Sequence, residues 1–258
     1  MRWIMADVLL LAFDTATAAV TVALHDGAAV LAEHTEADAR RHGELLAPGI
    51  GRVLAEAGRD RTELTDIAVG VGPGPFTGLR VGLVTARVLS DALGIPVHGV
   101  CTLDIVAAAV TAEAVTADGS TGAAQTQSEP FAVATDARRR EVYWALYDAS
   151  GRRLTEPAVD RPDTVAPLVE GMPVAGEGPV LYPAAFPRRR DPVLPSAAVL
   201  AGLVARALRA ERADAAEPPT SPSSTPFTPL LPPVPLYLRR PDAVEPSARK
   251  PVSQPALR

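Results

Sequence analysis

The chain has 258 residues, 47% of them hydrophobic and only 4% aromatic, and carries a net charge of −5. That length can bury one large core or two smaller ones, filled by Ala, Val and Leu rather than by rings. The acidic balance, with a pI near 5.4, excludes the broad basic footprint of a protein that grips nucleic acid directly. An RNA-linked role therefore needs a partner to hold the RNA.

Residues 8–13 form an apolar run that Asp14 cuts short. It is too short to span a membrane and no small-residue cleavage site follows, so a cytoplasmic protein is expected, starting at Met1 or Met5. The run reads as a buried strand. Residues 20–24 and 29–32, joined by Asp26-Gly27, complete an antiparallel meander. Residues 43–57 turn helical, with Leu46, Ile50, Val53, Leu54 and Ala57 at helix spacing. Pro48 is awkward there because it lacks a donor, and Gly58 is a plausible stop. A strand at 66–71, a helix at 77–93 stopped by Gly94, a strand at 95–100 and a helix at 103–115 follow.

Residues 117–129 are rich in Ser, Thr, Gln and Gly and read as an exposed loop. A second lobe then opens with a strand at 131–134, a charged turn at 136–140 and a returning strand at 141–147. A strand near Val174 and an Ala-rich helix at 196–212 are weaker features. From 218 to 235 proline dominates, which bars a helix or an inner strand. No internal repeat is visible. The loop 117–129 and the stretch 218–233 are expected to be dispensable for the core.

Two segments invite a chemical reading. Asp14-Thr15-Ala16-Thr17 follows the first strand. Such a turn can offer a hard oxygen and N–H donors to phosphate and metal, or it can be a turn capped by its own side chains. Gly72-Pro73-Gly74-Pro75-Phe76-Thr77-Gly78 enters the second helix with Thr77 as a fair N-cap. It is neither a Walker loop nor the Gly-x-Gly-x-x-Gly fingerprint. An inherited phosphate loop and a plain tight turn are equally compatible with it. Asp14, Thr15, Gly72, Gly74 and Thr77 are thus the candidate cofactor-binding residues.

Metal is not expected. His25, His34, His42 and His98 are scattered, and Cys101, after an apolar run, reads as a buried inert thiol. Helix 77–93 is apolar over most of its circumference, through Leu79, Leu83, Ala86 and Leu89 on one arc and Val81, Val84, Val88 and Ala92 on another. Arg80, Arg87 and Asp91 make a narrow polar strip. Such a helix buries more than one side, against its own sheet and against helix 43–57 or a partner.

The segment GPGPFTGLRVG at 72–82 resembles the GPGSFTGLRIG segment of the TsaB family, with Pro75 for Ser and Val81 for Ile. His42-Gly43-Glu44-Leu45-Leu46-Ala47-Pro48 resembles that family's HSE-L-L-P helix start, with Gly43 for Ser. The segment 136–143 is similar to its DARR-EVY hairpin, and 235–239 to its usual ending. The resemblance is close over the first hundred residues and patchy beyond.

It implies an actin-like α/β fold of two ribonuclease-H-like lobes. The first carries a mixed five-stranded sheet and the second is smaller and degenerate. The boundaries implied are 1–116, 117–129, 130–217 and a tail 218–258 with a final strand near 236–239. It implies an accessory scaffold without its own activity in forming threonylcarbamoyladenosine at position 37 of tRNA. The chain would pair with a TsaD-like catalytic paralogue and a TsaE-like ATPase, form a homodimer alone, and meet tRNA only through the complex. No cofactor is expected, weak or shared nucleotide binding aside. The expected interface uses His42, Leu46 and Ile50 of the first helix and Leu79, Arg80, Leu83, Val84 and Arg87 of the second. The rival reading is an actin-fold kinase or other nucleotide-binding protein, for which Gly176-Glu177-Gly178 is a weak second phosphate loop. A peptidase lacks any nucleophile elbow or metal-spaced histidines.

Overall fold

The computed structural model describes residues 8–38, 41–116, 129–214 and 230–239. The first sheet has the order β3-β2-β1-β4-β5. Its strands are β1 (Leu10–Asp14), β2 (Ala19–His25), β3 (Val30–Ala37), β4 (Asp66–Gly70) and β5 (Val97–Val100). The meander β1–β2–β3 is antiparallel, whereas β4 and β5 run parallel to β1.

β1 is an unbroken apolar run because both of its faces are covered. On one face Leu9, Leu11 and Phe13 pack with Val20, Val22, Ile67 and Val69 under α1 (His42–Glu56) and α2 (Phe76–Leu93). On the other, Leu10 and Ala12 meet Ala23 and Ala68. These small side chains let a long helix lie close.

β3 extends past the expected 29–32 because Glu33, His34, Thr35 and Glu36 pair with β2. Those polar residues hid the strand from the hydrophobic pattern, and charges on an outer strand blunt edge-to-edge pairing. Pro48 stands in the second turn of α1 with its face exposed. There the carbonyl it cannot pair is left to water.

The second sheet, in the order β8-β7-β6-β9, comprises β6 (Phe131–Asp136), β7 (Val142–Tyr147), β8 (Ala158–Asp160) and β9 (Val174–Ala175). β6–β7 and β7–β8 are antiparallel and β6–β9 is parallel. This is the pattern of the first sheet without its last strand. The repeat that the sequence conceals is therefore present in the topology, as two ribonuclease-H-like lobes, the second smaller.

Two long helices connect the two lobes. α3 (Thr102–Thr116) sends Ile105 toward the first sheet but packs Leu103, Val106, Ala107 and Val110 on the second. The short helices α4 (Pro162–Val165) and α5 (Gly178–Leu181) belong to the second lobe, where Val165 packs on Val174 and Phe186. α6 (Ala197–Asp214) returns to the first lobe and covers Leu10, Ala12, Ala23 and Ala68 with Leu200, Ala201, Val204 and Leu208.

The tail differs from expectation. No strand forms at 236–239. Instead Leu231 makes an antiparallel bridge to Gly99, with both N–H···O distances 2.8 Å, and the Leu236 amide donates to the Val71 carbonyl at 2.8 Å. Pro232, Pro233 and Pro235 have no N–H with which to continue a ladder. Residues 230–233 accordingly lie along the edge of β5, with Leu230 and Leu231 partly buried against the core. Four residues of the stretch 218–233, which was expected to bury little, thus lie against the first lobe. The rest of that stretch and nearly all of the loop 117–129 lie outside the described residues.

Candidate functional site

The Asp14 turn and the glycine loop are locked into one another. Thr15 Oγ1 donates to the Gly78 carbonyl at 2.8 Å and accepts from the Gly82 amide at 3.0 Å. Asp14 is fully buried and accepts from the Ala16 amide through Oδ1 and from Thr102 Oγ1 through Oδ2, both at 2.7 Å. Thr102 Oγ1 in turn accepts from the Gly72 amide at 3.2 Å. The glycines are there for closeness. A Cβ on Gly74 would stand 2.2 Å from the Ala16 carbonyl oxygen, and one on Gly78 2.5 Å from that of Thr15. The two loops meet backbone to backbone, so their donors serve each other.

Pro75, not Thr77, holds the N-cap of α2: its carbonyl accepts from the Leu79 amide at 3.1 Å. Thr77 lies exposed in the first turn. Of the five candidate cofactor residues, Asp14, Thr15, Gly72 and Gly74 are buried together and Thr77 stands apart at the surface.

Burial raises the pKa of Asp14, against the opposing pull of the Thr102 and Ala16 hydrogen bonds and of His42. A carboxyl raised in the folded state contributes stability that is complete below its ordinary pKa and is lost as pH rises through the folded value. The stability of the wild type relative to Asp14→Asn is therefore expected to grow as pH falls from neutral toward 4. Paired urea titrations across that range check this, and a flat difference would sink it.

The two helices of the expected interface present only part of the residue set outward. His42 is buried and donates from Nε2 to the Thr17 carbonyl at 2.8 Å, which assigns its proton to Nε2. Leu46, Leu79 and Leu83 are buried in the chain's own core, and Ile50 is partly buried beside them. These five form the inner side of the helix pair, because the i, i+4 arc on which they lie faces β1 and β4. The outer side of α2 carries Val84 and Val88, 60% and 59% exposed, flanked by Phe76, Arg80, Arg87 and Asp91. Arg87 and Asp91 pair at 3.0 Å. Arg80 donates to the Tyr237 hydroxyl at 3.0 Å and lies 3.8 Å from the centre of the Phe76 ring, which stacks on Tyr237. The tail is thus pinned to the exposed helix face. Phe76, Val88 and Tyr237 were absent from the expected interface. Phe76 and Tyr237 are two of the chain's few aromatics, and Val88 lies on the outer apolar arc of α2.

Between the lobes lies a cavity of about 260 Å³ lined by Thr17, His42, Phe76, Thr77 and Arg138, among others. Beside it the β6–β7 turn repeats the geometry of the β1–β2 turn: Asp136 Oδ1 accepts from the Arg138 amide at 2.7 Å, as Asp14 Oδ1 does from that of Ala16. The loop after β9 presses on β6, since a Cβ on Gly176 would stand 2.3 Å from the Ala134 carbonyl oxygen. It delivers Glu177, whose carboxylate accepts from the backbone amides of Asp136 and Ala18, one from each lobe. Burial raises its pKa, opposed by those hydrogen bonds and by the charge of Arg138. The weak Gly176-Glu177-Gly178 signal therefore marks a carboxylate clasp between the lobes.

Cys101 is fully buried and its thiol is pushed up to about 12, chiefly by burial, so it is unreactive. Among the described residues no three His, Cys, Asp or Glu side chains come together as a metal site. No described helix is long and apolar enough to cross a membrane.

Residues 29–216 match the family described as TsaD, tRNA N6-adenosine threonylcarbamoyltransferase. An uncharacterized protein of Mycobacterium leprae is 41% identical over 244 residues; the match covers 91% of this chain and 56% of that protein's length. The tRNA threonylcarbamoyladenosine biosynthesis protein TsaB of Escherichia coli is 37% identical over 138 residues, 54% of each chain. The crystal structure of YeaZ from Pseudomonas aeruginosa superposes with a TM-score of 0.65 at 32% identity, covering 80% of this chain and 94% of that one. With the interlocked glycine loop and the doubled sheet, these likenesses show that the chain belongs to the threonylcarbamoyltransferase family, as a TsaB/YeaZ-like member.

Proposed function

We propose that the chain is a non-catalytic subunit in the synthesis of threonylcarbamoyladenosine at position 37 of tRNA, acting in the cytoplasm through protein contacts. The observation that carries this reading is the outer face of α2, where Val84 and Val88 stand exposed between charged neighbours. An apolar stripe on a surface otherwise rich in charge marks an interaction site. The occupant we assign is the TsaD-like catalytic paralogue, whose matching lobe offers an equivalent helix pair about a pseudo-two-fold axis. A second copy of the chain would occupy the same face when the paralogue is absent, and a TsaE-like ATPase and tRNA would join through the complex.

The rival reading, a nucleotide-dependent kinase, is disfavoured by the filled phosphate loops. Thr15 and Asp14 are engaged by the chain's own groups, and the carboxylate of Glu177 takes the Asp136 and Ala18 amides at the seam. No cofactor is therefore assigned to these loops. The test is reconstitution. The purified chain alone is expected to give no threonylcarbamoyl transfer and no ATP turnover. Addition of the catalytic paralogue and the ATPase is expected to give transfer that depends on the chain. Turnover by the chain alone, lost in Asp14→Ala, would overturn the proposal.

A further inference from the structure

Arg138, Arg139 and Arg140, at the tip of the β6–β7 hairpin, have φ of 61, 54 and 61°. An L-residue in the left-handed region costs on the order of 1 kcal/mol, so three in succession need support from their surroundings. The support is visible. The Arg138 amide is held by Asp136, the Glu141 amide donates to the Arg138 carbonyl at 3.0 Å, and the Ala137 amide donates to the Glu141 carbonyl at 3.0 Å. Arg239, from the tail, pairs with Glu141 and donates to the Ala137 carbonyl at 3.2 Å.

The strained turn separates the three side chains. Arg138 pairs with Asp136 at 3.0 Å and lines the cavity between the lobes. Arg139 and Arg140 line a different cavity, of about 500 Å³, on the second lobe. Arg161, just before α4, adds a third guanidinium, and Asp163 is the one carboxylate in the lining. The opposite wall is Leu181, Tyr182 and Pro183, with Arg140 close enough for its charge to act on the Tyr182 phenol. Neither Arg140 nor Arg161 is in an ion pair with another described residue. Elsewhere in this lobe Arg188 is paired with Glu129 and Arg189 with Asp191. In a chain of net charge −5, the guanidinium groups of Arg140 and Arg161 thus line one concavity with a single carboxylate, Asp163, in its lining.

We propose that this cavity binds a phosphorylated small molecule of nucleotide size, its phosphates on Arg140 and Arg161 and its organic part against Tyr182 and Pro183. The volume lies in the range of small-molecule sites. Guanidinium forks match the oxygens of phosphate in pairs, and two of them suit more than one negative charge better than a lone carboxylate does. Arg140 and Arg161 line one hollow of about 500 Å³, a size that suits a small ligand rather than an RNA strand.

Calorimetric titration of the full chain at low salt with pyrophosphate, ADP and adenosine tests the proposal. Pyrophosphate and ADP are expected to bind saturably with Kd below about 1 mM, and adenosine to give no signal. The double variant Arg140→Ala/Arg161→Ala is expected to bind at least about tenfold more weakly at an unchanged melting temperature, while Arg189→Ala binds as the wild type does. The proposal is overturned by absence of saturable binding in the wild type or by equal affinity in the double variant. It is also overturned by binding of a short single-stranded RNA with no response to pyrophosphate or ADP. Because no partner subunit is present, its outcome is separate from that of the scaffold reading.

Discussion

Replacing Gly70 with alanine is expected to destabilise the chain by several kcal/mol. The added Cβ would stand 1.7 Å from Asp14 Oδ2 and 2.5 Å from its Cγ. Asp14 cannot swing aside, because it is fully buried and both of its oxygens are engaged, by the Ala16 amide and by the Thr102 hydroxyl. β4 cannot retreat either, since Gly70 pairs with Val100 on one side and Phe13 of β1 lies opposite Val69 on the other. Overpacking costs about 1–3 kcal/mol, and loss of a buried hydrogen bond to Asp14 adds about as much. Together that is a large share of the ~5–15 kcal/mol that stabilises an ordinary domain. Gly51→Ala is the matched control. Its Cβ would meet nothing within 4 Å inside α1. It is expected to leave stability unchanged or raise it by up to about 1 kcal/mol. Urea unfolding of the three proteins separates the cases, and a Gly70→Ala midpoint equal to the wild type would show that the loops are not interlocked.

Val84→Glu is expected to leave the fold intact and to weaken binding to the catalytic paralogue at least about a hundredfold, since an unpaired carboxylate would be desolvated in the contact. Leu83→Glu, one residue away, is expected to unfold the chain. The difference lies in direction along α2. Leu83 is 7% exposed and packs in the core with Leu79 and Ala86, whereas Val84 is 60% exposed. A carboxylate at position 83 would be buried without a partner inside the first lobe, at a cost of several kcal/mol. Thermal melts followed by sedimentation with the paralogue give both readings. A folded Val84→Glu protein that associates as tightly as the wild type would remove α2 from the interface.

Much of the first lobe was legible because its signals are local. The apolar run before Asp14, the 3.6-residue spacing in α1 and α2, and Gly94, which caps α2 with φ of 69°, each follow from a few neighbouring residues. β3 was cut short because Glu33 and Glu36 obey the needs of an edge strand rather than those of a core. The tail misled for the converse reason. Leu236 and Leu238 look like strand residues, but Pro232, Pro233 and Pro235 leave only single hydrogen bonds to the edge of β5.

Composition and periodicity by themselves determined an acidic chain of alternating strands and helices, and the resemblance carried by the motifs around Asp14 and Gly72 implied its two lobes and its family. Which arc of α2 faces outward was beyond them, because Leu79, Leu83, Val84 and Val88 are equally apolar and only the position of β1 and β4 tells them apart. The role of the glycines was likewise undecided until Thr15 and the Gly78 carbonyl met across 63 residues. A phosphate loop and a self-filled turn demand the same small residues, and only the tertiary contact reveals what fills the space. Glu177 and Arg138 were hidden for the same reason. Their neighbours, Ala18 and Thr17, lie in the other lobe, and their effect comes from distance in space, which the order of residues does not carry.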